Sequence, residues 1–168
     1  VPERRDNHYD FGVNPCSEIV LRPREFCNLS EVVCRPHDTL ATIRKKVTQA
    51  TWIGTIQSTL TDFRYLSAPW KRNTEEERLL GVSLTGIMDC PAILKATDKE
   101  RQGLRDHAVK ENVSAAKLLG IPESAAVTCV KPSGTVSQLV DSSSGSHRRH
   151  NTQFIRRVRN DKKDPSST

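Results

Sequence analysis

The chain has 168 residues, a length suited to one domain. Charged residues make up 27% and the hydrophobic class 35%, and no apolar run reaches the length of a membrane-spanning helix. Nine Pro and eight Gly without a glycine period exclude collagen-like or linker sequence, and an aromatic content of 5% argues against a stacking platform for nucleic acid.

The formal net charge is +6 and the pI about 9.2, a balance that favours anionic partners without choosing among them. The chain opens with Val1 and holds one Met, Met88, so its start is processed or it is a piece of a longer chain. Glu3, Arg4, Arg5 and Asp6 stand where a signal peptide would have its apolar core. Export is therefore unsupported, and a reducing, cytoplasmic setting is the expectation.

Residues 1–13 are polar. Gly12 and Pro15 predict a tight, irregular loop carrying Asn14-Pro15-Cys16-Ser17-Glu18. Residues 18–21 form a short strand leaving it, Arg22-Pro23-Arg24-Glu25 a turn, and residues 26–34 a second strand. Asp38 or Thr39 caps a helix running to about Leu60. Its apolar stripe is Leu40, Ile43, Val47, Ala50 and Gly54, with Ile53, Ile56 and Leu60 beside it. Thr61 to Asn73 is predicted as a loop, and Thr74-Glu75-Glu76-Glu77 as a capped acidic helix start. Leu79 to Met88 is a buried strand or helix end. Leu104 to Leu119 is a helix stopped by Gly120 and Pro122, and Ala125 to Val130 a buried strand. Strand and helix in alternation predict an α/β architecture.

The five cysteines, Cys16, Cys27, Cys34, Cys90 and Cys129, include no C-x-x-C pair, so neither zinc nor a disulfide framework is supported. Cys34, Cys90 and Cys129 read as small buried hydrophobes. Cys16 differs because of its neighbours: in extended chain Asn14, Cys16 and Glu18 point to one side. An amide, a redox-capable or nucleophilic sulfur and a carboxyl able to move a proton would then share one small volume. Cys27 can join them only if the chain doubles back at 22–25, since a straight strand would hold the sulfurs roughly 36 Å apart.

Further on, Lys131-Pro132-Ser133-Gly134-Thr135 follows the apolar run 125–130 and precedes Val136-Ser137-Gln138-Leu139-Val140. A small-residue turn between strand and helix exposes backbone N–H groups to which phosphate can bind, with Ser133 and Thr135 adding hydroxyls; the spacing is not that of a Walker loop. His147, Arg148, Arg149, His150, Arg156, Arg157, Arg159, Lys162 and Lys163 then crowd the final segment. They could meet nucleic-acid phosphates, but with Phe154 alone among them as an aromatic, a solvated surface or the walls of a nucleotide pocket is favoured.

Taken together, Asn14-Pro15-Cys16-Ser17-Glu18 with Phe26-Cys27-Asn28-Leu29, the run Gly81 to Asp89, and Lys131 to Ser137 resemble, in family order, the motifs of ribonucleotide reductases. Pro15 and the segment 143–150 resemble the adenosylcobalamin-dependent (class II) members, in particular the monomeric ribonucleoside-triphosphate reductases. The resemblance covers nearly the whole chain. It implies part of a ten-stranded α/β barrel, with a catalytic finger loop over 11–27, a phosphate-binding turn over 131–137 and a basic tail over 147–168.

The resemblance also implies roles. Cys16 would carry a thiyl radical that takes the 3′-hydrogen of the ribose, Glu18 would accept the 3′-hydroxyl proton, and Asn14 would hold the ribose hydroxyls. Cys27 would be one of two thiols that supply electrons as water leaves C2′, and Pro132, Ser133, Gly134 and Thr135 would bind the substrate phosphates. Adenosylcobalamin is the implied cofactor, a ribonucleotide the implied substrate, and a thioredoxin-like protein the implied reductant, with no resident metal, no membrane and no nucleic-acid partner. The second thiol lies upstream in the family and has no match here; nor have the C-terminal cysteine pair and the upstream allosteric elements. Ser146 stands where family members carry an apolar residue. The implied whole is a segment that needs the remainder of the barrel and does not turn over alone. Two other readings are a reductase large subunit served by a separate radical-generating subunit, and a non-catalytic nucleotide- or nucleic-acid-binding module.

Overall fold

The computed structural model describes residues 5–6, 8–155, 157, 159–163 and 165. Val1, Glu3, Arg4 and Arg156, invoked above, lie outside them, as do parts of the basic tail.

The described chain opens with a hairpin, β1 (Gly12–Val13) paired antiparallel with β2 (Val20–Leu21). The turn at 22–25 forms as predicted, with Arg24 in the left-handed region (φ 61°) and the Glu25 carboxylate accepting from the Arg22 N–H at 2.8 Å. The chain then enters β3 (Asn28–Val33), which runs parallel to β4 (Leu80–Thr85) with Asn28 opposite Leu80 and Val33 opposite Thr85. Parallel strands need a crossover. Here it is α1 (Leu40–Gln57) followed by α2 (Ala68–Glu77).

Thr39 is the N-cap of α1, in a capping box with Thr42. Ile43, Val47, Ala50 and Gly54 are buried as the stripe predicted, whereas Ile53 and Ile56 are exposed on the far side of the helix and Leu60 is exposed beyond its end. After β4 come a short turn of 3₁₀ helix, α3 (Pro91–Leu94) and α4 (Asp98–Leu119). Helix α4 begins earlier than periodicity suggested because Thr97 and Glu100 form a second capping box, and it ends at left-handed Gly120 as predicted. The segment after α4 returns to the sheet: Leu80 N–H donates to Ala126 O, Val82 N–H to Val127 O, and Cys129 N–H to Val82 O. The buried strand expected over 125–130 is thus a single parallel bridge, Val82 to Thr128, with irregular pairing around it.

Two expectations in the crossover fail. Ala68 to Asn73 is helix, not loop, because Ser67 sits as N-cap and Pro69 in the first turn supplies a pre-set φ. Thr74-Glu75-Glu76-Glu77 is therefore the last turn of α2, not a helix start. Acidic side chains there oppose the helix dipole, and the arginines described below offset that.

Val32, Ile43, Val47, Leu80, Val82, Ile93, Leu104 and Ala108 form the core between sheet, α1 and α4, with Cys34 and Cys90 buried in it as predicted. Buried Asn112 buckles three elements together, donating to Thr55 Oγ1 and Ser124 Oγ and accepting from the Ser124 N–H. The other face of β4, at Gly81, Ser83 and Thr85, is buried as well. Strands covered on both faces belong to parallel α/β sheets. That second face carries the candidate site.

Candidate functional site

The hairpin tip is closed by its own polar groups. Asn14 N–H donates to Ile19 O, Ser17 N–H to Asn14 O, and Ile19 N–H to the Asn14 carboxamide oxygen. Ser17 takes the left-handed conformation (φ 60°) that so tight a turn requires. The tip is thus a turn and not the extended strand that would aim alternate residues alike. Asn14 and Glu18 still meet across its base, where the Asn14 amide favours the charged carboxylate, while Cys16 stands exposed at the apex.

Glu18 points inward; its side chain is only 1% exposed. One carboxylate oxygen takes a hydrogen bond from Lys131 Nζ at 3.2 Å, and the other is buried with no partner. Burial disfavours the charged form, but its own backbone N–H, the Asn14 amide and the Lys131 ammonium together hold the carboxyl below its ordinary range.

Beneath the hairpin lies Gly81. A Cβ there would fall 2.4 Å from Leu29 Cδ2, 3.1 Å from Cys129 Sγ and 3.2 Å from Ile19 Cδ1, so a side chain at 81 would press on all three where hairpin, β3 and the 126–129 segment close over β4. Cys27, just ahead of β3, is half-buried. Burial first, then Cys129, Glu25 and Glu18, push its thiol up to about 12. Cys129 is half-buried too, its thiol pushed up to about 11 by burial and then by Glu18. The expectation that Cys129 is a core hydrophobe like Cys34 is corrected: the bridge at Thr128 turns it toward the hairpin. Glu31, opposite Ser83 in register, has both carboxylate oxygens buried without a partner, as has the Ser83 hydroxyl.

A cluster of buried charges anchors the base of the hairpin to the end of α2. Arg5 donates to both Glu77 oxygens, to Glu25 Oε2 and to Val20 O of β2. Arg22 reaches Glu77 at 2.8 Å and Glu76 at 2.9 Å. The arginine, Glu25 and Glu77 side chains are at most 2% exposed. Arg22 also lies 3.9 Å from the centre of the Tyr9 ring and Arg5 4.6 Å from that of Phe11. Asn73 adds a hydrogen bond to Pro23 O. Burial and the Glu77 carboxylate raise Glu25 to about 8, while Glu77, desolvated but bonded by Arg5 and Glu25, stays below its ordinary range. Glu25 Oε1 is buried with no hydrogen-bond partner. Sequence reasoning missed this cluster, whose partners lie 15 to 72 residues apart.

The turn at 131–137 leads, as expected, into a helix, α5 (Gly134–Leu139). Ser133 is in the left-handed region (φ 51°) and is buried, its hydroxyl without a partner, while Pro132, Gly134 and Thr135 are exposed. The loop 142–149 is clamped beside it. Gly145 N–H donates to Thr85 Oγ1, Gly86 N–H to Ser143 O, and Ser143 N–H to Asp89. Gly145 has a positive φ, and a Cβ on it would lie 2.6 Å from Lys131 O, so this contact sets the Lys131 backbone. A polar cavity of about 900 Å³ opens here between Thr135, Ser143, His147, Arg148, His150 and Arg157. An apolar one of about 300 Å³ lies on the opposite side of the sheet, between Val82, Leu104 and Val130. Neither contains a hairpin residue.

No protein-family model matches the chain. Curated relatives do. An adenosylcobalamin-dependent ribonucleoside-triphosphate reductase of Lactobacillus delbrueckii subsp. bulgaricus is 28% identical over 184 positions, covering 92% of this chain and 24% of the relative. The enzyme of the same name from Euglena gracilis is 27% identical, covering 94% and 21%. A crystal structure of a B12-dependent (class II) ribonucleotide reductase superposes with a TM-score of 0.62 at 26% identity, covering 81% of this chain and 22% of that one. The chain therefore spans about a quarter of the length of the curated relatives it matches. In sequence and in backbone alike, the chain is similar to one segment of the adenosylcobalamin-dependent, class II ribonucleotide reductases.

Proposed function

We propose that this segment carries the thiol and proton-handling residues of a ribonucleotide reductase that converts ribonucleoside triphosphates to 2′-deoxyribonucleotides, as part of a ten-stranded α/β barrel completed by the remainder of the protein. The observation that carries the proposal is the hairpin. An exposed cysteine stands at its apex, and an amide-held, buried carboxylate lies at its base, over a glycine that brings a second thiol segment close.

Each residue then has a task suited to its surroundings. Cys16, free of covering side chains, is the sulfur that takes the 3′-hydrogen: the C3′–H bond breaks and the S–H bond forms. Glu18, charged and sheltered, accepts the 3′-hydroxyl proton. Asn14 braces Glu18 and the turn and orients the sugar. Cys27 stays a protonated thiol at neutral pH because its titration is pushed far upward. It gives hydrogen as water leaves C2′, and with a second thiol it ends as a disulfide that a thioredoxin-like dithiol re-reduces. Pro132, Ser133, Gly134 and Thr135, beside the cavity walled by His147 and Arg148, hold the phosphates.

Adenosylcobalamin, which the relatives' names specify, would supply the radical to Cys16. The exposed apex of the hairpin fits that need. The names of the relatives favour this over a large subunit with a separate radical-generating partner. The internal pairing of Arg149 with Asp89 and Asp141 speaks against a basic face reserved for nucleic acid.

The test uses the complete protein that carries this segment. Cys16→Ser should abolish cobalamin-dependent reduction while nucleotide binding persists. Cys27→Ser should still release label from 3′-tritiated substrate but fail to complete turnover. Near-normal turnover in Cys16→Ser, or activity that needs a metal-containing partner subunit in place of cobalamin, would refute the proposal.

A further inference from the structure

We infer that Lys131 is a positioning residue for Glu18, holding the carboxylate charged and aimed until phosphate occupies the adjacent turn. The inference rests on the reading of Glu18 as the proton acceptor and extends it to a residue to which no role has yet been given.

The geometry is specific. Lys131 Nζ lies 3.2 Å from Glu18 Oε1, between residues 113 positions apart in sequence. The glutamate side chain is almost wholly buried and its second oxygen has no partner, so among the described residues the ammonium is the full positive charge in contact with it. Lys131 is itself held in place: the close approach of Gly145 sets its backbone, and its side chain is only 25% exposed. Pro132 and Ser133 follow it directly, and the Ser133 hydroxyl is buried and unpartnered.

An ammonium has three N–H donors, one of which reaches Glu18. The remainder are available to a phosphate oxygen arriving at 132–135. A dianionic or more highly charged phosphate competes with a single carboxylate for that charge. Its arrival would therefore loosen the clamp and leave Glu18 more basic when substrate is seated. The groups facing Glu18 are Asn14 from the hairpin, Lys131 and Cys129 from the 126–131 segment, and Cys27 ahead of β3. Both thiols stay neutral across the acid range in which a carboxyl titrates, so Lys131 is the charged neighbour that acts on Glu18, alongside burial, its own backbone N–H and the Asn14 amide.

The experiment follows the Glu18 side-chain carboxyl by ¹³C NMR in the complete protein that carries this segment, assigned by its loss in Glu18→Gln. In Lys131→Met the Glu18 midpoint should rise by about one pH unit, a tenfold gain in proton affinity, and Lys131→Arg should restore it. Inorganic triphosphate should raise the midpoint in the unmodified chain and leave it unmoved in Lys131→Met. Thermal melts of both variants show that the fold is kept. A midpoint unchanged in a folded Lys131→Met overturns the inference. Amides of 133–135 that ignore triphosphate overturn instead the phosphate reading on which it rests, and they are separate signals in the same spectra.

Discussion

Replacing Glu77 by Ala tests what fixes the hairpin to the body of the protein. The substitution removes the acceptor for Arg5 Nε and the buried acceptor for Arg22, which keeps only half-exposed Glu76; two guanidiniums, each 2% exposed, are left with Glu25 as the one buried carboxyl between them. Breaking a buried pair by deleting one partner costs about 3–5 kcal/mol, because the remaining charge stays desolvated. That is a large part of the roughly 5–15 kcal/mol that holds an ordinary domain folded. At a urea slope of about 2 kcal/mol per molar, the unfolding midpoint should fall by about 2 M. Trp70 in α2 stacks on Phe26 with ring centres 4.6 Å apart and reports the transition by fluorescence. Glu76→Ala is the matched control: its side chain is half exposed and bonds Arg22 alone, so its loss should cost about 1 kcal/mol or less. A Glu77→Ala midpoint within 0.5 M (roughly 1 kcal/mol at that slope) of the parent would refute the claim that this cluster mounts the hairpin.

Three further outcomes are expected. Glu25 titrates near 8 when folded and near 4.5 when unfolded, so between those values the folded state binds more protons and stability falls as pH rises; Glu25→Gln should flatten that slope in melts taken from pH 5 to 8, and an unchanged slope would show that Glu25 is not its source. Iodoacetamide at pH 8 should modify exposed Cys16 first, Cys27 and Cys129 slowly, and Cys34 and Cys90 only on unfolding, as read by peptide mass spectrometry; early labelling of Cys27 would contradict its burial. Gly81→Ala should destabilise the chain by about 1–3 kcal/mol through overpacking against Leu29, Cys129 and Ile19, and a neutral effect would mean that these three give way freely.

The parts of this fold legible in the sequence are those whose signals are local. Thr39 and Gly120 are cap residues beside periodic apolar runs, and the turn at 22–25 is written in Pro23 and its neighbours. The pattern Asn14-x-Cys16-x-Glu18 marked the hairpin tip, although the tip folds as a turn and brings Asn14 and Glu18 together across its base. What sequence could not show depends on distant partners. The acidic end of α2 looked like a helix start because Arg5 and Arg22, which neutralise it, lie 54 to 72 residues away. Cys129 carries no local mark to distinguish it from Cys34; only the bridge between Val82 and Thr128 turns it to the hairpin side. Lys131 reads as one more basic residue until the fold sets it against Glu18.

The way the hairpin is attached has a dynamic consequence. Its two strands are two residues each and pair with one another, whereas β3 and β4 share a six-residue ladder roofed by α1. The tip therefore belongs to a cooperative unit distinct from the sheet, able to open while the ladder stays shut. Deuterium should enter the amides of 13–21 by local opening and those of 80–85 only by global unfolding. Such a division lets the tip that carries Cys16 breathe without loosening the scaffold beneath it.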